Sequence, residues 1–176
     1  MRFEAIGLDG AWLIHPEPME DERGFFARTF CVNEFGDHCL ETKFPQHSVS
    51  HSSRKGTVRG MHFQNAPHEE VKLVRCLTGS IYDVIIDLRR GSQTFRQWKG
   101  FELTAENGLQ LYIPKGFAHG FQTLADDTSV NYLISEFHAP AAANGVRYSD
   151  LAFDVRWPLP VTSISEKDLR WPDFRG

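Results

Sequence analysis

The chain has 176 residues, 41% of them hydrophobic and 24% charged, enough to enclose one sizeable core and short for two. Its 19 Lys and Arg against 23 Asp and Glu leave a net charge of −4, which gives no general attraction to nucleic acid or to an anionic membrane, so an anionic ligand must meet local positive charge. The three cysteines, Cys31, Cys39 and Cys76, are an odd number without a C-x-x-C pair; they indicate neither a disulfide framework nor a thiolate zinc site and read as free thiols.

In chain order, the opening MRFEAIGLDG carries Glu4 and Asp9 where a signal peptide needs an unbroken apolar stretch, and no apolar run approaches the ~20 residues of a spanning helix. The expectation is a cytoplasmic protein. A brief helix is predicted over 32–38 after Cys31. Period-two or short apolar runs then predict strands over 72–77, 81–88, 98–103, 109–113, 120–124 and 129–135, separated by turn-forming residues such as Thr78-Gly79, Asn107-Gly108 and Asp126-Asp127. A second short helix is predicted over 166–169, with Ser165 as its N-cap. Many short strands with almost no helix, and no repeat or linker, predict a single all-β domain over 1–176, an antiparallel barrel or double-sheet jelly roll. The 14 Phe and four Trp suit a filled interior. As a base-stacking surface they lack interleaved basic residues, so no nucleic-acid partner is expected.

Two segments carry the chemistry: Gly56-Thr-Val-Arg59-Gly-Met-His62-Phe-Gln64 and Gly108-Leu-Gln-Leu-Tyr-Ile-Pro114-Lys-Gly116-Phe-Ala-His119-Gly-Phe121. They resemble the two motifs of the cupin superfamily, the second completely and the first with Gln64 where a second metal-binding His would stand. His62, His119 and Glu69 with the weak ligand Gln64 form a poor metal set, and Lys72 beside the same strand pair would repel a divalent cation while favouring an oxyanion. No metal is expected. His62, Lys72 and Tyr132 together offer a base, a cation and a phenolic acid.

The ordered blocks Asp21-Glu-Arg23-Gly24-Phe25-Phe26, Arg59-Gly-Met-His62-Phe63-Gln64, Lys72-Leu-Val-Arg75, DVIIDLR over 83–89, Pro114-Lys-Gly-Phe-Ala-His119-Gly-Phe121 and Ser165-Glu-Lys-Asp168 cover nearly the whole chain. They resemble the dTDP-4-dehydrorhamnose 3,5-epimerase family. The resemblance implies a cupin-type jelly roll and a cofactor-independent isomerase acting on a nucleotide-diphospho-keto-sugar. The C4 ketone of such a sugar acidifies the C3 and C5 protons, so a base, an acid on the opposite face and positive charge at the carbonyl oxygen suffice.

By the same resemblance His62 is the base, Asp168 the carboxylate that sets its tautomer, Tyr132 the proton donor and Lys72 the stabiliser of the enolate oxygen. Arg59 and Arg23 bind the diphosphate, with Arg75 and Lys115 as further cations; His119 positions the sugar, Phe121 forms an apolar wall and Gln46 contacts the nucleotide. A homodimer with exchanged N-terminal strands is implied, bringing Arg23 and Phe26 to the neighbour's site. The sequence departs from the family pattern at Arg28, Ser48, His138 and Ala143, and Arg28 and Ala143, standing where the family commonly has Glu, would remove acceptors for base and ribose donors. A different nucleotide carrier and inversion at one carbon therefore stand as alternatives, with a metal-dependent or non-catalytic sugar-binding cupin as the rival class.

Overall fold

The computed structural model describes residues 1–175. Strands β1 (Arg2–Ala5), β2 (Trp12–His15), β3 (Met19–Asp21) and β4 (Gly24–Phe26) precede helix α1 (Val32–Asp37). Then follow β5 (Gln46–Ser52), β6 (Val58–Gln64), β7 (Lys72–Thr78), β8 (Ser80–Asp87), β9 (Trp98–Thr104), β10 (Gln110–Ile113), β11 (Phe117–Thr123), β12 (Thr128–Ile134), β13 (Ala143–Gly145) and helix α2 (Glu166–Leu169). A six-stranded sheet of order β1-β2-β10-β7-β12-β5 faces a five-stranded sheet of order β13-β6-β11-β8-β9, and β3 and β4 form a separate hairpin. All named strand pairings are antiparallel. The all-β, cupin-type jelly roll expected from the sequence is the fold.

The six predicted strands are β7 to β12 with ends shifted by a few residues, and both predicted helices form. The strands β1 to β5 and β13, by contrast, carry no clear apolar period. In β5 the sequence QHSVSHS leaves most side chains exposed, with Val49 62% accessible, because β5 pairs with β12 on one side and forms the sheet's edge on the other.

Alternation divides the strands into an inward and an outward face. From β7, Val74 and Cys76 enter the central cluster with Ile81 and Ile85 of β8, Phe117 and Phe121 of β11 and Val130 of β12, while Leu73 packs on the outer face with Phe35 of α1 and Tyr112. The outer face of the five-stranded sheet, with Met61, Val84, Ile86 and Ala118, is covered by Val146, Phe153, Trp157 and Phe174 of the C-terminal segment. Cover on both faces explains why β8 reads SIYDVIID, apolar almost throughout, rather than strictly alternating. Burying Phe121, 1% exposed, contributes about 2–3 kcal/mol.

One irregularity positions the site. His62 lies opposite His119 and Arg59 opposite Phe121, so three steps along β6 match two along β11. An unbroken strand would send Arg59 and His62 to opposite faces; the extra residue restores both to the inside. Gly60 takes φ +139° within this bulge, and a Cβ there would stand 2.5 Å from Gly120 Cα. Only glycine tolerates both the conformation and the approach.

Candidate active site

A cavity of about 590 Å³ opens between the sheets, and its wall includes Arg59 and His62 from β6, Lys72 from β7, His119 and Phe121 from β11, Tyr132 from β12 and Asp168 from α2. A smaller recess of about 210 Å³ shares His62, Lys72, Ile134 and Lys167 with it and adds Gln46, Glu70, His138 and Trp171.

His62 Nε2 lies 2.6 Å from Asp168 Oδ1. The carboxylate is 4% exposed and is held by local structure: Ser165 Oγ accepts from the Asp168 backbone N–H at 3.1 Å, capping α2 as the sequence predicts. Trp171 Nε1 donates to Oδ1 at 3.3 Å and the Gly60 backbone N–H donates to Oδ2 at 3.3 Å. Burial alone would raise this carboxyl, but the bond from His62, the charge of His62, and the Gly60 and Trp171 donors outweigh it, and the pKa falls below the ordinary carboxylate range. An ionised Asp168 fixes the His62 proton on Nε2 and leaves Nδ1 as the basic lone pair.

A second pair stands opposite. His119 Nε2 lies 2.6 Å from Asp83 Oδ1, both side chains being buried. Its ring meets that of Tyr132 edge-on at 6.2 Å between centroids. Tyr132 Oη shares a hydrogen bond with Ser50 Oγ at 3.1 Å. Burial pushes the phenol well above its ordinary range; the Ser50 bond and Arg59 offset part of this, and the Asp83 charge adds to it. The phenol stays protonated at neutral pH.

Cations complete the wall. Lys72 Nζ lies 3.0 Å from Glu70 Oε1 and donates weakly to the His62 carbonyl oxygen at 3.5 Å. Arg59 is braced by Ser52 Oγ at 3.0 Å and the His51 carbonyl oxygen at 2.7 Å, which aims a planar guanidinium along the cavity rim.

The structure thus brings His62, Asp168, Tyr132, Lys72, Arg59, His119 and Phe121 around one hollow. Gln46 lines the recess instead, where its Oε1 accepts from the His138 N–H at 2.6 Å. Arg23 and Phe26 stand apart on the hairpin of β3 and β4: Arg23 pairs with Asp21 at 2.5 Å and Phe26 is 67% exposed. Arg75 and Lys115 are absent from both linings. Among the positions that depart from the family pattern, Ser48 lines the cavity, His138 and Ala143 line the recess, and Arg28 pairs with Glu34 elsewhere. Among the described residues no three His, Cys, Asp or Glu side chains gather as a ligand set, so Glu69 does not join His62 and His119.

Sequence reasoning missed Asp83, Glu70, Trp171 and Lys167. Asp83 lies inside the DVIIDLR block, where its polar side chain interrupts an apolar strand; that interruption was the available signal.

The family profile of dTDP-4-dehydrorhamnose 3,5-epimerase matches residues 5–176. The chain belongs to this family. It is 42% identical to the dTDP-4-dehydrorhamnose 3,5-epimerase of Methanothermobacter thermautotrophicus, over 99% of this chain and 95% of the relative. The crystal structure of the Elizabethkingia anophelis epimerase superposes with a TM-score of 0.95 at 37% identity, covering 99% of this chain and 96% of the other. That of the Bacillus anthracis epimerase, with TDP and PPi bound, gives 0.93 at 38% identity, covering 98% and 100%.

Proposed function

We propose that the chain is a 3,5-epimerase of a dTDP-linked 4-keto-6-deoxyhexose, working through an enolate. The carrying observation is the His62–Asp168 pair at 2.6 Å, set on the wall of a cavity that also holds Tyr132 and Lys72. His62 Nδ1 takes the proton from the carbon beside C4; the C–H electrons move into the ring and the carbonyl oxygen gains the charge. Lys72 stabilises that oxygen, and His119, held by Asp83, positions the sugar. Tyr132 returns a proton to the opposite face of the carbon, which inverts it. The phenolate and imidazolium are then reset by proton exchange with water. The sequence of steps is redox neutral and asks for no cofactor.

Phe121 forms an apolar wall beside the ring. Arg59 binds the diphosphate by charge-assisted hydrogen bonds, and Gln46 meets the nucleotide from the recess. The Bacillus anthracis relative, with TDP and PPi bound, supports a diphosphonucleoside ligand. Arg23 and Phe26 serve a neighbouring subunit in a homodimer. Support comes from the hairpin itself, where Met19, Phe25 and Phe26 are 65%, 70% and 67% exposed, and from β5, whose outer edge has no partner strand among the described residues. The enzyme works in the cytoplasm, on a charged substrate that does not cross a bilayer unaided; among the described residues no helix is long and apolar enough to span one.

The test is proton exchange. Incubated with dTDP-4-keto-6-deoxyglucose in deuterated water, the protein exchanges the hydrogens at C3 and C5, read by NMR. Exchange with inversion at one carbon alone makes it a mono-epimerase, and exchange at neither refutes the substrate.

A further inference from the structure

Glu70 has no task in the mechanism above, yet its placement is unusual. It stands two positions before Lys72, in the segment that leads into β7. Its Oε1 lies 3.0 Å from Lys72 Nζ, with the two side chains 7% and 13% exposed respectively. The other oxygen, Oε2, is buried without a hydrogen-bond partner among the described residues, and the residue lines the recess whose wall includes both Lys72 and His62.

A buried ion pair with an unsatisfied oxygen is a poor way to stabilise a barrel, since apolar side chains of similar volume would serve as well or better. It is a good way to fix an ammonium. Lysine carries its charge on a flexible four-carbon stem with three rotatable donors. One N–H directed at Glu70, and a weak second at the His62 carbonyl oxygen 3.5 Å away, leave the third for an oxygen of the bound sugar.

We infer that Glu70 is a positioning residue, anchoring the Lys72 ammonium so that one donor stays aimed at the enolate oxygen. The inference rests on the epimerase reading, and it predicts an effect on the chemical step that passes entirely through Lys72.

The experiment measures the rate of C3 and C5 deuterium exchange for wild type, Glu70→Gln, Lys72→Ala and the double variant, with dTDP affinity by calorimetry. Glu70→Gln keeps the shape of the side chain and removes its charge, and a thermal melt accompanies it. The expected result is a loss of about 10²-fold in exchange rate with dTDP affinity unchanged, because dTDP lacks the sugar carbonyl. In the Lys72→Ala background the same change causes no further loss. Wild-type exchange in Glu70→Gln, a fall in dTDP affinity in step with the rate, or losses that multiply in the double variant would each overturn the positioning role. Absence of exchange in the wild type would instead remove the epimerase reading, and this inference with it.

Discussion

Replacing Asp168 with Asn changes one atom in the most heavily constrained corner of the site. Oδ1 accepts from His62 and Trp171, and Oδ2 accepts from Gly60 N–H. An asparagine has one oxygen for these three donors, so in either orientation its NH2 faces an N–H. If it faces Gly60, a buried amide loses its acceptor; if it faces His62, the imidazole must turn over its tautomer and place its proton toward the sugar. A buried donor left unpaired costs about 1–3 kcal/mol of stability. In either orientation the imidazolium of the intermediate loses its carboxylate partner, which removes about 2 kcal/mol of support, or about thirtyfold in rate. The pH dependence has a definite sign. The Asp168 carboxyl is depressed below its ordinary 3.8 in the folded chain, so its contribution is complete above that value and is lost as pH falls through the lower folded value. The stability gap between wild type and Asp168→Asn should therefore be widest at neutral pH and close in acid. Urea melts at pH 7 and below pH 3.8 measure the gap, and deuterium exchange measures the rate. An Asn variant with wild-type exchange, or a stability gap that does not narrow in acid, would refute the reasoning.

Tyr132→Phe should keep proton removal by His62 while slowing inversion by at least ~10²-fold, so NMR should find deuterium incorporated with retained configuration; the fold should lose only about 1 kcal/mol with the Ser50 bond. Gly120→Ala puts a methyl 2.6 Å from Met61 Sδ and 2.7 Å from the Arg59 carbonyl oxygen, and thermal denaturation should register a loss of about 1–3 kcal/mol, with the bulge displaced. Burial pushes the Cys76 thiol up to about 11, so alkylation at pH 8 followed by peptide mass spectrometry should modify exposed Cys39 and leave Cys76 intact until the chain is denatured.

The strands β7 to β12 were legible because each has its own short-range signature: apolar residues at alternate positions, or continuous where both faces are covered, with turn residues between them. The cap of α2 was legible for the same reason, since Ser165 and Asp168 lie within one turn. The edge strand β5 was not, because a strand paired on one side and open to solvent on the other needs few apolar residues. For the site, the motif blocks of the sequence supplied the residue types and, through their resemblance to a family, a chemistry for them.

Tertiary structure decided the rest. A spacing of three between Arg59 and His62 gives no hint that both face inward until β6 is paired with β11 and the bulge appears. Asp168 reaches His62 across 106 positions, and Asp83 reaches His119 across 36. The first is fixed by α2 docking against β6 and the second by the pairing of β11 with β8, not by local period. Likewise Glu70 and Lys72 could have been an ordinary surface pair; only the burial of both, with one oxygen unpartnered, sets them apart. Sequence alone specifies which groups are present and the local backbone each prefers, whereas the charge state, tautomer and aim of a catalytic group depend on neighbours that folding brings from elsewhere in the chain.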